Sequence, residues 1–349
     1  AMLRSGDARF TARDFVEALA QYERILEAPG DEKVEEETLY RMAVAHHNME
    51  QYAESVSVFR RLLDRFPKSG HAAEAWRRIG AFELHHNNDA LSAIEAYQAA
   101  LESSPDGVIA ARALQGLASA RYELKDYEQA ATHLLQLIKE HPKSPPSSEA
   151  MLWCGQWLYD AKRWTEAADM LAALLDAFPE HEQRAGVAFI IARCFEAAGD
   201  MDKAVTAYEA TLAQETQPLR LAEIYFHLGG IHSDRDHFEK AMALYEQSAN
   251  LDGGEVSARA RFQLAALHEE KGEYEDAARN YMRLAILFVH KSLSPEALWR
   301  AANCYKTLKN SGQAQSILDE LIRDYPESSF ARQARELLAT IRETDEKAE

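Results

Sequence analysis

The chain is short of the residues that build several common kinds of protein. It has three cysteines, 15 glycines and 10 prolines in 349 residues. Cys154, Cys194 and Cys304 are an odd number and stand inside helical patterns in separate stretches, which points to small buried apolar groups rather than a disulfide or zinc framework. Scarce Gly and Pro beside abundant Ala, Leu and Glu exclude low-complexity tracts and give an all-helical composition, with no strand-like segment. No run approaches the roughly 18 apolar residues of a membrane span. Basic residues are few: 39 Lys plus Arg stand against 57 Asp plus Glu, a net charge of -18. A nucleic-acid partner is therefore not expected, because a phosphate backbone needs a basic groove.

Chemistry-bearing motifs are also missing. There is no Gly-rich phosphate loop, Gly-x-Ser-x-Gly or His-Glu-x-x-His, so neither an enzyme nor a cofactor is expected. His46-His47, His85-His86 and the His232 to His237 stretch are the only clusters resembling metal chemistry. Adjacent histidines on a helix point about 100° apart and do not chelate as a pair, and no third ligand at fixed spacing appears. The start, Ala1-Met2-Leu3, shows no signal peptide.

What is present is a repeat. A small residue recurs as Ala18, Ser55, Ala93, Ala130, Ala167, Ala204, Ala241, Ala277 and Ala314, at intervals of 36 to 38 residues. Four residues after each stands a large apolar one: Tyr22, Phe59, Tyr97, Leu134, Leu171, Tyr208, Tyr245, Tyr281 and Leu318. Four residues is one helical turn, so both lie on one face. Upstream of each pair runs another helical pattern with its own large-small pair, such as Met42-Ala43, Ile79-Gly80, Leu117-Ala118, Cys154-Gly155 and Leu228-Gly229. A Gly or Ala there lets a neighbouring backbone approach, marking the contact between the two helices of a hairpin. Turns such as Lys125-Asp126, Gly199-Asp200 and Gly272-Glu273 join the helices, and Pro67, Pro105, Pro142, Pro179 and Pro326 stand near the ends of the second ones. Neither helix can close a core alone, so the unit makes sense only when stacked on copies of itself.

This pattern resembles the tetratricopeptide repeat, with nine copies over nearly the whole chain; the period here is 37 where the usual unit has about 34 residues. The resemblance implies an all-α fold, a right-handed superhelical solenoid of helix-turn-helix hairpins, as one domain over 1–343. In it the first repeat is truncated, with Gly6 at the small position, residues 329–343 are a capping helix and 344–349 a polar tail. The aromatic-Pro-x-Ser loops, Phe66-Pro67-Lys68-Ser69 and Tyr325-Pro326-Glu327-Ser328, are similar to those of a bacterial envelope subgroup, which favours the periplasm or cell envelope over the cytoplasm.

The resemblance also implies that the first helices line a concave groove, chiefly through their second, fifth, ninth, twelfth and thirteenth positions. The fifth positions here are Tyr40, Arg77, Gln115, Leu152, Phe189, Phe226, Phe262 and Trp299, an aromatic-rich stripe. Either it is a binding surface whose rigid aromatics anchor a partner, or it packs between successive first helices as core. Arg193 and Asn303, at ninth positions, join the candidate groove residues. The family's carboxylate clamp pairs Lys at a fifth position with Asn at the ninth of the same repeat; here the only basic fifth position is Arg77, with Ala81 at its ninth, so the clamp is absent, which disfavours chaperone tails. Acidic residues at the other groove positions, among them Glu74, Glu149, Glu196 and Glu269, favour a net basic partner. The expected function is a non-catalytic scaffold that binds a protein or peptide segment, apolar and net basic, in a bacterial envelope or other multiprotein assembly. The competing expectations are a polysaccharide-binding module of an export apparatus and a cytoplasmic adaptor or sensor arm of a regulatory protein.

Overall fold

A computed structural model of the chain describes residues 2–27, 30–251, 254–287 and 293–346; Ala1 and the last three residues of the expected polar tail lie outside these. The described residues form helices and connecting turns, with no strand among them. Two compact units divide the chain, Ala1–Glu182 and Gln183–Glu349.

In the first unit, five hairpins follow one another. They are α1 (Met2–Thr11) with α2 (Phe15–Glu27), α3 (Glu32–Asn48) with α4 (Tyr52–Arg65), and α5 (Ala72–His85) with α6 (Ala90–Ser103). Then come α7 (Gly107–Glu123) with α8 (Tyr127–Glu140), and α9 (Ser148–Asp160) with α10 (Trp164–Ala177). The second unit holds α11 (Arg184–Ala197) with α12 (Met201–Leu212), α13 (Pro218–Ser233) with α14 (Phe238–Asn250), and α15 (Glu255–Glu270) with α16 (Tyr274–Leu287). Its last hairpin is α17 (Leu293–Thr307) with α18 (Ser311–Asp324), and a single helix, α19 (Ser329–Glu346), follows.

The residues that repeat in the sequence are those that hold each hairpin shut. All eight recurring alanines of the second helices are fully buried, as is Ser55, whose hydroxyl donates to the Ala43 carbonyl at 2.8 Å. The large residue one turn later is buried in every copy, and where the small residue of the first helix is glycine the large side chain lies against it. A Cβ added at Gly229 would lie 2.8 Å from the Tyr245 ring, one at Gly155 2.4 Å from Leu171, and one at Gly6 2.5 Å from Tyr22. Tyr97 is confined from two sides, by Gly80 and by Gly116, where an added Cβ would come within 2.2 Å of its ring. The three thiols are buried, which pushes each up to about 12.

Turn chemistry sets the helix ends. At every hairpin one residue adopts a left-handed φ: Arg13, Glu50, Asn88, Lys125, Lys162, Gly199, Asp236, Gly272 and Lys309. It reverses the chain at the end of the first helix, as the αL cap does. The next residue in several copies is an acid or amide that caps the second helix: Asp14, Asp89, Asp126, Asp200 and Asn310 accept from backbone N–H groups three residues on, at 3.1–3.4 Å. The aromatic-Pro-x-Ser loops are tight turns, closed by bonds from Ser69 N to Phe66 O at 3.0 Å and Ser328 N to Tyr325 O at 3.0 Å. Helix α19 covers the apolar end of the last hairpin, burying Ala334, Leu338 and Ile341 against the α17–α18 core.

Candidate binding surface

The aromatic stripe is placed between helices rather than in open solvent. In the first unit, Tyr40 is half-buried and stacks on His71 at 3.8 Å, ring planes 10° apart. Arg77 donates twice to Glu74, each bond 2.8 Å, and Arg78 adds a third at 2.6 Å. Burial pushes the Glu74 carboxyl up, but the bonds and charges of the two guanidiniums outweigh it and hold it below the ordinary glutamate value. Leu152 is half-buried on α9, and Gln115 is exposed on α7.

In the second unit each stripe residue has a floor and a partial cover. Phe189 is 7% exposed, with Tyr208 beneath it at 6.0 Å and the His227 ring at 6.3 Å. Phe226 packs on Tyr245 at 5.8 Å under the guanidinium of Arg259 at 4.9 Å. Phe262 meets Tyr281 edge-on at 5.4 Å under Arg300 at 5.5 Å. Trp299 lies against Phe330 of α19 at 5.8 Å, and the Asn303 amide donates to the Trp299 carbonyl at 2.8 Å. The Arg193 guanidinium is 6.0 Å from the Phe189 ring. The stripe thus serves chiefly to join one first helix to the next through ring and cation-π contacts.

A second set of contacts does the same with charge. Tyr22 donates to Asp7 at 3.2 Å, and Arg41 reaches the same carboxylate at 3.0 Å. Tyr208 donates to Glu196 at 2.6 Å, and His227 lies 2.9 Å from it. Tyr281 donates to Glu269 at 2.9 Å, joined by Arg300 at 3.3 Å. In each, the acid is on a first helix, the tyrosine on its partner, and a basic residue on the following first helix, nineteen residues after the tyrosine. Burial, then the Asp7 carboxylate, pushes the Tyr22 hydroxyl up to about 12. Burial raises the Glu196 carboxyl, yet His227 and the Tyr208 hydroxyl hold it below its usual value. Glu74, Glu196 and Glu269, read in the sequence as groove acids, are therefore bonded to the protein's own basic side chains.

An open, aromatic-walled cleft lies elsewhere. Between the first helices α7 and α9 the surface sinks into a cavity of about 410 Å³. Tyr122, 45% exposed, meets Trp153 edge-on at 4.8 Å, and Tyr127 closes the cluster at 5.7 Å from Trp153. Gln115, Ser119 and Ala150 form the floor and sides, and the exposed carboxylates of Glu123 and Glu149 stand at the rim. Tyr122 occupies a twelfth position and Trp153 a sixth, so a reading of fifth positions passes over both. The signal was an aromatic at a twelfth position followed, one repeat later, by Leu152-Trp153. A smaller cleft of about 210 Å³ between α3, α4 and α5 is lined by His47, Tyr52, Arg77, Arg78, His85 and neighbours. Burial, then the charges of Arg78 and Arg77, lowers the His47 ring below the usual histidine value.

Other sequence clusters resolve into local bonds. His46 pairs with Gln51 at 2.8 Å, and His232 with His237 at 3.4 Å. Among the described residues no group of three or more His, Cys, Asp or Glu side chains is placed to hold a metal ion, and no helix is long and apolar enough to cross a membrane.

Comparison with known proteins agrees with this architecture. Models of the tetratricopeptide repeat match residues 40–108, 116–182, 189–222, 222–254 and 296–328, well over half of the chain. No curated protein matches the sequence. Among solved structures, the chain is similar to the C-terminal part of a TPR repeat-containing protein from Cytophaga hutchinsonii. That match has 15% identity and a TM-score of 0.40, over 72% of this chain and 95% of that one. A second is YrrB, described as a TPR protein with an unusual peptide-binding site, at 16% identity and a TM-score of 0.42 over 59% of this chain and 99% of that one. A third, a tetratricopeptide repeat protein from Parabacteroides merdae, has 13% identity and a TM-score of 0.37 over 88% and 98%. With its family models, repeated hairpins and small-large packing pairs in agreement, the chain belongs to the tetratricopeptide-repeat family of protein-interaction scaffolds.

Proposed function

We propose that the chain holds a partner protein through an extended, apolar and net basic segment, with the cleft between α7 and α9 as its principal anchor. The observation that carries this is the pairing of an open aromatic wall, Tyr122 and Trp153, with exposed rim carboxylates, Glu123 and Glu149. An apolar side chain entering the cleft displaces water from two rings, and a flanking Lys or Arg meets the rim acids. Tyr40, Arg77 and Leu152 present further half-buried contacts on first helices of this unit. In the second unit the open edges of Phe226, Phe262 and Trp299, with Asn303, form the corresponding surface, while Phe189 and Arg193 act mainly through packing.

The setting we favour is a bacterial envelope assembly, supported by the aromatic-Pro-x-Ser loops. Selection from a random peptide library displayed on phage tests the binding mode. Enrichment of sequences with one large apolar residue beside Lys or Arg is expected on the native chain and not on Trp153→Ala. Enrichment of acidic sequences, or of the same sequences on Trp153→Ala, would overturn the proposal.

A further inference from the structure

We infer that the second unit also carries an oxyanion site, for a carboxylate or phosphate group, between Arg261 and Arg283 on the side where the second helices α14 and α16 face each other. The argument begins with register. Arg261 is the fourth residue of its first helix by the count that makes Phe262 the fifth, and the same place elsewhere holds Leu39, Trp76, Leu114, Met151, Ala188, Tyr225 and Leu298. None of these seven is charged and four are buried apolar side chains, and the chain has put a guanidinium in their place. Arg261 is only 5% exposed. Desolvation of so buried a cation is costly unless a carboxylate offsets it.

Among the described residues no carboxylate bonds to it, and Glu246 acts on it only as a nearby charge. Among the described residues Arg261 donates to the Ala249 carbonyl at 2.7 Å, to the Asn250 side chain at 3.3 Å and to the Asn280 side chain at 3.4 Å. Its Nε has no partner there. Burial first, and then the neighbouring charge of Arg283, lower its affinity for its proton. Capping the end of α14 accounts for the bonds to Ala249 and Asn250. It does not account for a second arginine kept close enough to repel the first.

Both arginines line a cleft of about 440 Å³ with Asn250 and Asn280. Arg279, on the same wall, is already held by Asp276 at 3.1 Å, and Glu246 is exposed in the cleft. Of the lining carboxylates, Asp276 is held by Arg279 and Glu239 by Lys271, which leaves Glu246 opposite the unbonded Nε of Arg261 and the exposed guanidinium of Arg283. These two arginines have room for one compact anion, bound in the forked manner that arginine offers to carboxylate and phosphate alike. This surface is separate from the α7–α9 cleft, and its test is independent of the peptide.

Equilibrium dialysis of the full chain against inorganic phosphate and, separately, N-acetylglutamate decides the matter. Saturable binding of at least one probe is expected. Phosphate alone identifies a free anion as ligand; acetylglutamate alone identifies an acidic side chain. Arg283→Ala changes an exposed residue and is expected to weaken binding about tenfold, the scale of one charge-assisted hydrogen bond. Arg261→Met, which restores the apolar register, should abolish binding while keeping or raising the melting temperature in chloride buffer. No saturable binding of either probe, or unchanged binding to Arg283→Ala, would overturn the inference.

Discussion

Gly116 shows what one position decides. It stands nineteen residues after Tyr97, where Arg41, His227 and Arg300 follow Tyr22, Tyr208 and Tyr281. The basic residue of the latch is there replaced by glycine, and the tyrosine ring fills the space its side chain would take. Other hairpins pack a tyrosine against alanine, as Tyr208 does with Ala192. Tyr97 has Gly80 on one side and Gly116 on the other, so a methyl group at 116 cannot be absorbed by a small shift. Gly116→Ala is expected to destabilise the protein by about 2 kcal/mol, the scale of an overpacked core, despite its better helix propensity. Urea denaturation measures it; a stabilised variant would contradict the packing described here. At the latch of Glu269, Tyr281 and Arg300 the two charged side chains are about one-third exposed, so its worth is limited by solvent screening. A double-mutant cycle of Glu269→Gln with Arg300→Gln should give a coupling of about 0.5–1 kcal/mol. No coupling would reduce the latch to an ordinary surface pair.

Among the elements, the hairpin was legible and its covering was not. The small-large pairs, the turn acids and the prolines act within one hairpin, where sequence spacing is spatial spacing, and the structure places them as expected. Whether Phe226 or Phe262 faces solvent depends on what the next first helix sets above it, Arg259 or Arg300, and no fifth-position count contains that information. The α7–α9 cleft was missed for the same reason, since its walls come from different positions of successive first helices. Turns offer a direct test of element-level reasoning. Lys125 is exposed and holds a left-handed φ of 60°, a strain that glycine does not feel. Lys125→Gly is expected to raise stability by about 0.5–1 kcal/mol. A loss of stability on thermal unfolding would mean that the lysine side chain contributes more than its backbone strain costs.

For the molecule as a whole, acidity and burial combine to set a pH response. The rings of His47, His133 and His232 are lowered from the ordinary histidine value of 6.5, by burial first and then by nearby cationic groups. They stay neutral in the fold while the unfolded chain takes up protons on them. Their contribution is complete above about pH 6.5 and is lost as pH falls toward the lowered values. Below about 4.5 a second loss follows, because Glu37, Glu74 and Glu196 are held below the ordinary glutamate value and must be protonated on unfolding. Stability measured from pH 8 to 4 should fall in these two steps; a maximum near pH 5 would contradict the assignment of neutral buried histidines.

The net charge of -18 belongs to the same scale, since a field of that sign favours encounter with the basic segment proposed as partner and disfavours acidic ones. The most direct test is therefore the affinity of a library-selected basic, apolar peptide for the native chain, Trp153→Ala and Glu123→Lys, with circular dichroism confirming the fold of each. The account predicts about tenfold or greater loss for Trp153→Ala, as for an aromatic anchor, and a smaller, salt-dependent loss for Glu123→Lys. Equal affinity for all three chains would contradict it.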